Sequence, residues 1–300
     1  MKRLISILIC FIMIAVLVSC RVTNTSDTGK KSIVCTTFPQ YDWTMNILGD
    51  KADEWNISIL LDGGTDLHNF QPSAEDIITI NTSDLLIYVG GGSDGWVEDV
   101  FKTNSADAEL INLMQTLGDG VLERDRDYDE HVWLSLENAE EFCEVISYRL
   151  GIIDPDNAAE YNRNCDAYTE KLEALEERYE AVVDTAKHKT LVFADRYPFA
   201  YLCRDLGLTA HTAFSGCSAD TEASFERMVE LAAEIDGAGV SAVVVIDSSD
   251  RKLAQTVISN TKTKNLSTVE LNSMQSVIAE DADYLSIMEK NLDALKIALN

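Results

Sequence analysis

From Asp154 to about Lys187 the chain runs without a glycine and with a single proline, Pro155. Tyr161, Cys165, Tyr168, Leu172, Leu175, Tyr179 and Val182 recur there at spacings of three and four, which lines one face of an α-helix with apolar side chains. Pro155 suits the first turn of such a helix, where its missing N–H costs nothing. At ~1.5 Å per residue, thirty-odd residues form a rod of roughly 50 Å, long enough to run along a whole molecule. What flanks the rod is therefore divided into two parts joined by a stiff element.

Both flanks show the same alternation. Before the rod, "SIVCTTF" (32–38), "WNISILL" (55–61), "DLLIYVG" (84–90) and "AELINL" (108–113) read as strands. Between them "YDWTMNIL", "SAEDIITI" and "DGWVEDVFKT" read as helices, and "SLENAEEFCEVISYRLG" as a helix ending at Gly151. After it come the strands "TLVFA" (190–194), "LTAHTAF" (208–214), "VSAVVVI" (240–246) and "LSTVEL" (266–271), again separated by helical segments. Such alternation implies parallel sheets with helices on both faces. The expected fold class is α/β: two lobes with parallel β-sheets flanked by helices, 32–153 and 188–300, joined by one long rigid α-helix over 154–187. A ligand is expected in the cleft between them.

The N-terminus indicates the compartment. "MKR" followed by "LISILICFIMIAVLV" has the charge and length of a signal-peptide leader. It runs into "LVSC", which resembles a bacterial lipobox, so residues 1–19 are expected to be removed and Cys20 to carry the lipid. Residues 20–31 then form a flexible polar linker. An uncleaved anchor is the alternative; either way the remainder lies outside the cytoplasmic membrane. Without 1–19 there remain 22 Lys and Arg against 51 Asp and Glu, a net charge of −29. Such a polyanion is a poor nucleic-acid binder, because neutralising phosphates takes clustered basic residues. The five cysteines beyond Cys20 (Cys35, Cys143, Cys165, Cys203, Cys217) form no CxxC pair and read as small core residues.

In a parallel α/β lobe, functional residues collect past the carboxyl ends of strands. His68 follows "WNISILL" after a glycine turn, and His131 stands in "YDEHVWLSLENA" just ahead of a helix. Asp195 and Arg196 follow "TLVFA", Asp247 follows "VSAVVVI" and Asn272 follows "LSTVEL". Two imidazoles with carboxylates from separate loops suit a borderline divalent cation: zinc takes nitrogen and oxygen ligands, and a site richer in oxygen shifts the preference to manganese. His188 and His211 read as structural or surface residues, and the acidic run "ERDRDYDE" (123–130) as a solvated loop.

The segments "GTDLHNFQPSAEDI" and "DEHVWLSLENA" resemble the two signature segments of the solute-binding lipoproteins of zinc and manganese ABC transporters, the cluster 9 metal-receptor family. The likeness extends to the lipobox, the rod and "PFAYLCRDLGL". It implies a periplasmic-binding-protein-like fold of the metal-receptor type, metal capture between lobes, and delivery to a membrane permease with its ATPase. On this resemblance His68 and His131 fall on the first two metal ligands. Where most members place a third histidine stands Arg196, whose guanidinium has no lone pair to give. Asp247 matches a carboxylate position, Asn272 stands where many members carry aspartate, and Asp195, Glu222 and Cys217 are further candidates.

The expected function is an extracytoplasmic, lipid-anchored, monomeric lipoprotein that binds Zn2+, or alternatively Mn2+, for an ABC importer. A receptor-like adhesin or sensor with altered or lost metal binding is the alternative. An enzyme is not expected, since the chain has no HExxH, nucleophile elbow or glycine-rich phosphate loop.

Overall fold

The structure, a computed structural model, describes residues 29–62, 64–103, 108–124, 127–214, 223–278, 280 and 282–300. The leader, Cys20 and most of the linker, together with Cys217 and Glu222, lie outside them. Two four-stranded sheets organise residues 31–300. The first holds β1 (Lys31–Cys35), β2 (Trp55–Ile59), β3 (Leu85–Tyr88) and β4 (Glu109–Asn112) in the order β2-β1-β3-β4. A two-stranded ribbon of β5 (Glu123–Arg124) and β6 (Asp127–Tyr128) follows. The second sheet holds β7 (Thr190–Phe193), β8 (Thr209–Thr212), β9 (Ala242–Ile246) and β10 (Ser267–Leu271) in the order β8-β7-β9-β10. Every ladder in both sheets is parallel. The two orders are the same permutation of their strands, so each sheet has its topological switch between its first and third strand, where open α/β sheets bind ligands.

Helices α1 (Phe38–Leu48), α2 (Ala74–Asn81), α3 (Trp96–Thr103), α4 (Leu113–Leu117) and α5 (Leu136–Ile153) accompany the first sheet. The long α6 (Ala158–Asp184) comes next, then α7 (Ala200–Asp205), α8 (Phe225–Ala238), α9 (Lys252–Asn260) and α10 (Tyr284–Ala298). The rod is shorter than its sequence suggests, 27 residues, or ~40 Å at ~1.5 Å per residue. Pro155 lies in the turn before it rather than in its first turn. The expected stripe is buried from Tyr161 to Tyr179 and then advances by four to Val183 instead of Val182. Gly151 does not end α5, which continues to Ile153. A Cβ at Gly151 would stand 3.1 Å from that of Ala158, so the glycine lets α5 and α6 pack closely at their corner.

One hydrophobic core runs through both lobes. Trp43 of α1, fully buried, packs its ring 5.7 Å from Phe142 of α5 and 5.2 Å from Tyr284 of α10. Buried hydroxyls tie the same elements: Tyr168 donates to Asp42 Oδ2 at 3.1 Å, Tyr179 to the Met288 carbonyl at 2.6 Å and Tyr284 to the Trp133 carbonyl at 2.7 Å. Trp133 in turn donates its indole N–H to the Ser273 carbonyl at 3.0 Å. Polar groups buried this deeply must be paired, and here the pairing joins the two lobes beside the strand ends that carry the site.

Candidate metal centre

Each candidate histidine sits in a D-x-H turn. After β2, Gly64 takes φ +87°, a left-handed conformation that favours glycine, and turns the chain. Asp66 then accepts the His68 backbone N–H at 3.0 Å and caps a single 3-10 turn, Leu67–Asn69. Leu67 enters the core while His68 stays partly exposed. At the end of the ribbon, Asp129 accepts the His131 backbone N–H at 3.0 Å in the same way. Ser73 caps α2 in a capping box with Asp76, which fixes the exit of the His68 loop.

The rear nitrogen of each ring is engaged. His131 Nδ1 lies 2.8 Å from Asp129 Oδ1, a carboxylate whose side chain is 1% exposed. A carboxylate only accepts, so this nitrogen carries the proton and Nε2 presents its lone pair. Tyr201 of α7 steadies Asp129, donating to its carbonyl at 2.9 Å while accepting the Leu122 N–H at 3.0 Å. Burial pushes the Tyr201 phenol up to about 12, which keeps it a donor. His68 Nδ1 lies 2.9 Å from Ser93 Oγ, with Glu130 Oε2 at 3.8 Å behind it. Glu130 also accepts the Ser93 N–H at 2.7 Å. A Cβ at Gly91 would stand 2.4 Å from Glu130 Cγ, so glycine there lets the carboxylate approach.

The front nitrogens face each other, with His68 Nε2 and His131 Nε2 3.3 Å apart. Ser93 Oγ can accept from or donate to His68 Nδ1, so His68 Nε2 either presents a lone pair beside that of His131 or donates its proton to it. Two ligands at ~2.0–2.1 Å from a tetrahedral zinc are themselves ~3.3–3.4 Å apart. The observed separation equals one edge of such a tetrahedron, and each ring is held from behind at its Nδ1.

The second lobe meets this pair differently from expectation. Arg196, three residues past β7, reaches into the first lobe. Its Nη1 donates to Asp66 Oδ2 of the first lobe at 2.8 Å, its Nη2 to Ser248 Oγ at 2.9 Å, and Asp195 Oδ1 accepts the Arg196 backbone N–H at 2.8 Å. Burial disfavours charge on Asp66, but the Arg196 guanidinium and the His68 amide outweigh it and hold the carboxyl below its usual range. Asp247 Oδ1 accepts the N–H and hydroxyl of Ser273 at 2.8 and 2.9 Å. Asn272 Oδ1 accepts the Met274 N–H at 2.8 Å. Among the described residues no group of three or more His, Cys, Asp or Glu could hold a metal, so neither Asp195 nor Asp247 joins the two imidazoles in this conformation. His188 and His211 stand elsewhere, the former ending the rod connection at the Leu299 carbonyl and the latter 3.2 Å from Glu234 on α8.

The end of the acidic run is not solvated, contrary to expectation. Asp129 and Glu130 are 3% and 8% exposed and turn inward onto the histidines. Residues 33–298 match the family described as zinc-uptake complex component A, periplasmic. The chain belongs to that family. It is 32% identical to the zinc-binding lipoprotein AdcA of Streptococcus pneumoniae serotype 4, over 99% of this chain and 61% of that protein. It thus spans about six-tenths of the length of this streptococcal relative. It is 28% identical to the high-affinity zinc uptake system protein ZnuA of Bacillus subtilis, over 97% of this chain and 95% of that one. In three dimensions it resembles the metal-dependent lipoprotein YcdH of Bacillus subtilis, with a TM-score of 0.77 and 28% identity over 90% of this chain and 99% of that one. The family consists of solute-binding components of uptake systems, and the paired parallel sheets match its metal-receptor architecture.

Proposed function

We propose that the chain is the extracytoplasmic metal-binding lipoprotein of an ABC importer, anchored through Cys20, that captures zinc, with manganese as the alternative, and passes it to a permease. The observation that carries this reading is the 3.3 Å approach of the two Nε2 atoms, with both rings held from behind. Two neutral imidazoles supply half of a zinc coordination sphere, and borderline nitrogen donors favour zinc over the harder manganese. The other half comes from the second lobe, where Asp247, Asp195 and Glu222 are the carboxylates to test. Arg196 and Asn272 occupy altered positions and donate no charge to the metal. A chain with net charge −29 once residues 1–19 are removed attracts cations at long range. The alternative is a receptor-like adhesin or sensor with altered or lost metal binding; the approach of the two imidazoles supports the metal-capturing reading over loss of metal binding.

Equilibrium dialysis of the soluble domain against zinc, followed by metal analysis, tests the proposal. About one tightly held zinc per chain is expected for the native sequence, and almost none for the His68→Ala, His131→Ala double variant. Equal uptake by the two proteins would reject it.

A further inference from the structure

The second lobe reaches the His68 turn through a continuous polar chain. Ser248, after β9, accepts from Arg196 Nη2; Arg196 Nη1 donates to Asp66 Oδ2; Asp66 Oδ1 accepts the His68 N–H. Both carboxylate oxygens of Asp66 are thus engaged, one by the opposite lobe and one by the residue that places the imidazole. The side chains of Arg196 and Asp66 are 18% and 17% exposed, so the pair is shielded more than a surface ion pair and is worth correspondingly more.

We infer that Arg196 is a positioning residue for metal capture, acting through Asp66 to fix the His68 turn from the second lobe. In this account, which rests on the function proposed above, the second lobe contributes a latch at the position where a ligand would otherwise stand. The geometry of the Nε2 pair then depends on the lobes being latched. Without Arg196, Asp66 remains a turn cap but is no longer anchored. The His68 turn, then held by Leu67 in the core and by Ser93 at the ring, can relax out of register with His131. His131 needs no such device, because Tyr201 already ties its Asp129 to the second lobe.

The test is zinc affinity by chelator competition, with the visible spectrum of the cobalt-substituted protein as a report on coordination geometry. The proteins are the native sequence, Arg196→Ala, Arg196→Lys, Asp66→Asn and the Arg196→Ala, Asp66→Asn double variant. Arg178→Ala serves as control, since it removes another arginine from an ion pair with Glu289 whose side chains are about half exposed. Loss of one charged hydrogen bond corresponds to about a tenfold loss or more. Arg196→Ala and Asp66→Asn should each weaken zinc by about that factor and alter the cobalt spectrum. The double variant should be no worse than either single one, because all three cut the same link. Arg196→Lys should recover part of the loss, and Arg178→Ala should bind as the native protein does. Thermal melts identify any variant that fails to fold; if Arg196→Ala is one, Arg196→Lys and Asp66→Asn carry the test. Unchanged or tighter binding in Arg196→Ala, or losses that add in the double variant, would overturn the latch. Failure of the native protein itself to bind zinc would overturn the proposed function instead.

Discussion

Replacing Asp129 isolates the orientation of His131 from its identity as a ligand. Asp129 Oδ1 receives both the ring Nδ1–H at 2.8 Å and the backbone N–H of His131 at 3.0 Å. The carboxylate is buried, with 1% of its side chain exposed, so water cannot take over as acceptor. A hydrogen bond to a charged group is worth about 1.5–3 kcal/mol, and each 1.4 kcal/mol is about a factor of ten in affinity. Outer partners of metal-bound histidines typically contribute about 10–100-fold, which agrees. Asp129→Asn, which keeps an acceptor oxygen but loses the charge, should weaken zinc by about tenfold, and Asp129→Ala by about a hundredfold. The assay is competition with a chromophoric chelator, alongside urea unfolding of the metal-free proteins to separate binding from stability. Zinc affinity within twofold of native in a folded Asp129→Ala protein would refute the reasoning, since His131 would then hold its orientation without help.

Other expectations concern stability, at the junction between lobes and within the first lobe. Burial, with Asp283 nearby, pushes the Asp42 carboxyl up to about 6 from 3.8. A carboxyl whose pKa is raised on folding contributes stability that is complete below the unfolded value and is lost as pH rises through the folded one. At 1.36 kcal/mol per unit the loss is at most ~3 kcal/mol. Asp42→Asn should therefore raise the urea midpoint at pH 7.5 and change it little at pH 3.5; an equal shift at both values would contradict the assignment. Tyr284→Phe removes the donor to the buried Trp133 carbonyl and should cost about 1–3 kcal/mol in the same measurement. A midpoint indistinguishable from native would mean that this hydroxyl does not secure the lobes. Gly90→Ala places a Cβ 1.9 Å from Asn112 Oδ1 at a φ of +92° and should lower the melting temperature by several degrees; a native melt would show that the turn repacks freely.

The architecture was legible because apolar runs alternate with amphipathic ones, and because the spacing of Tyr161 through Tyr179 admits only a helix. Boundaries were harder. Gly151 reads as a helix end, yet it is a contact with Ala158, a neighbour across a corner that local pattern does not reveal. The two histidines were legible from their loops. Their orienting partners were present in the sequence as a repeated D-x-H, Asp66-Leu-His68 and Asp129-Glu-His131, but Asp129 stood at the end of an acidic run that looked solvated. Arg196 could be ruled out as a ligand from its chemistry alone. Its true partner, Asp66, is 130 residues away, and only the packing of one lobe on the other brings them together. The same limit applies to Asp247, read as a candidate ligand, whose carboxylate holds Ser273 past the neighbouring strand end.

The most direct test of the central claim is the anomalous difference density at the zinc edge from crystals grown with one equivalent of zinc. The account predicts a single strong peak about 2.0–2.1 Å from Nε2 of both His68 and His131, with Asp129 still on His131 Nδ1. A peak bound by neither imidazole, or no ordered peak in crystals shown to contain zinc, would contradict it.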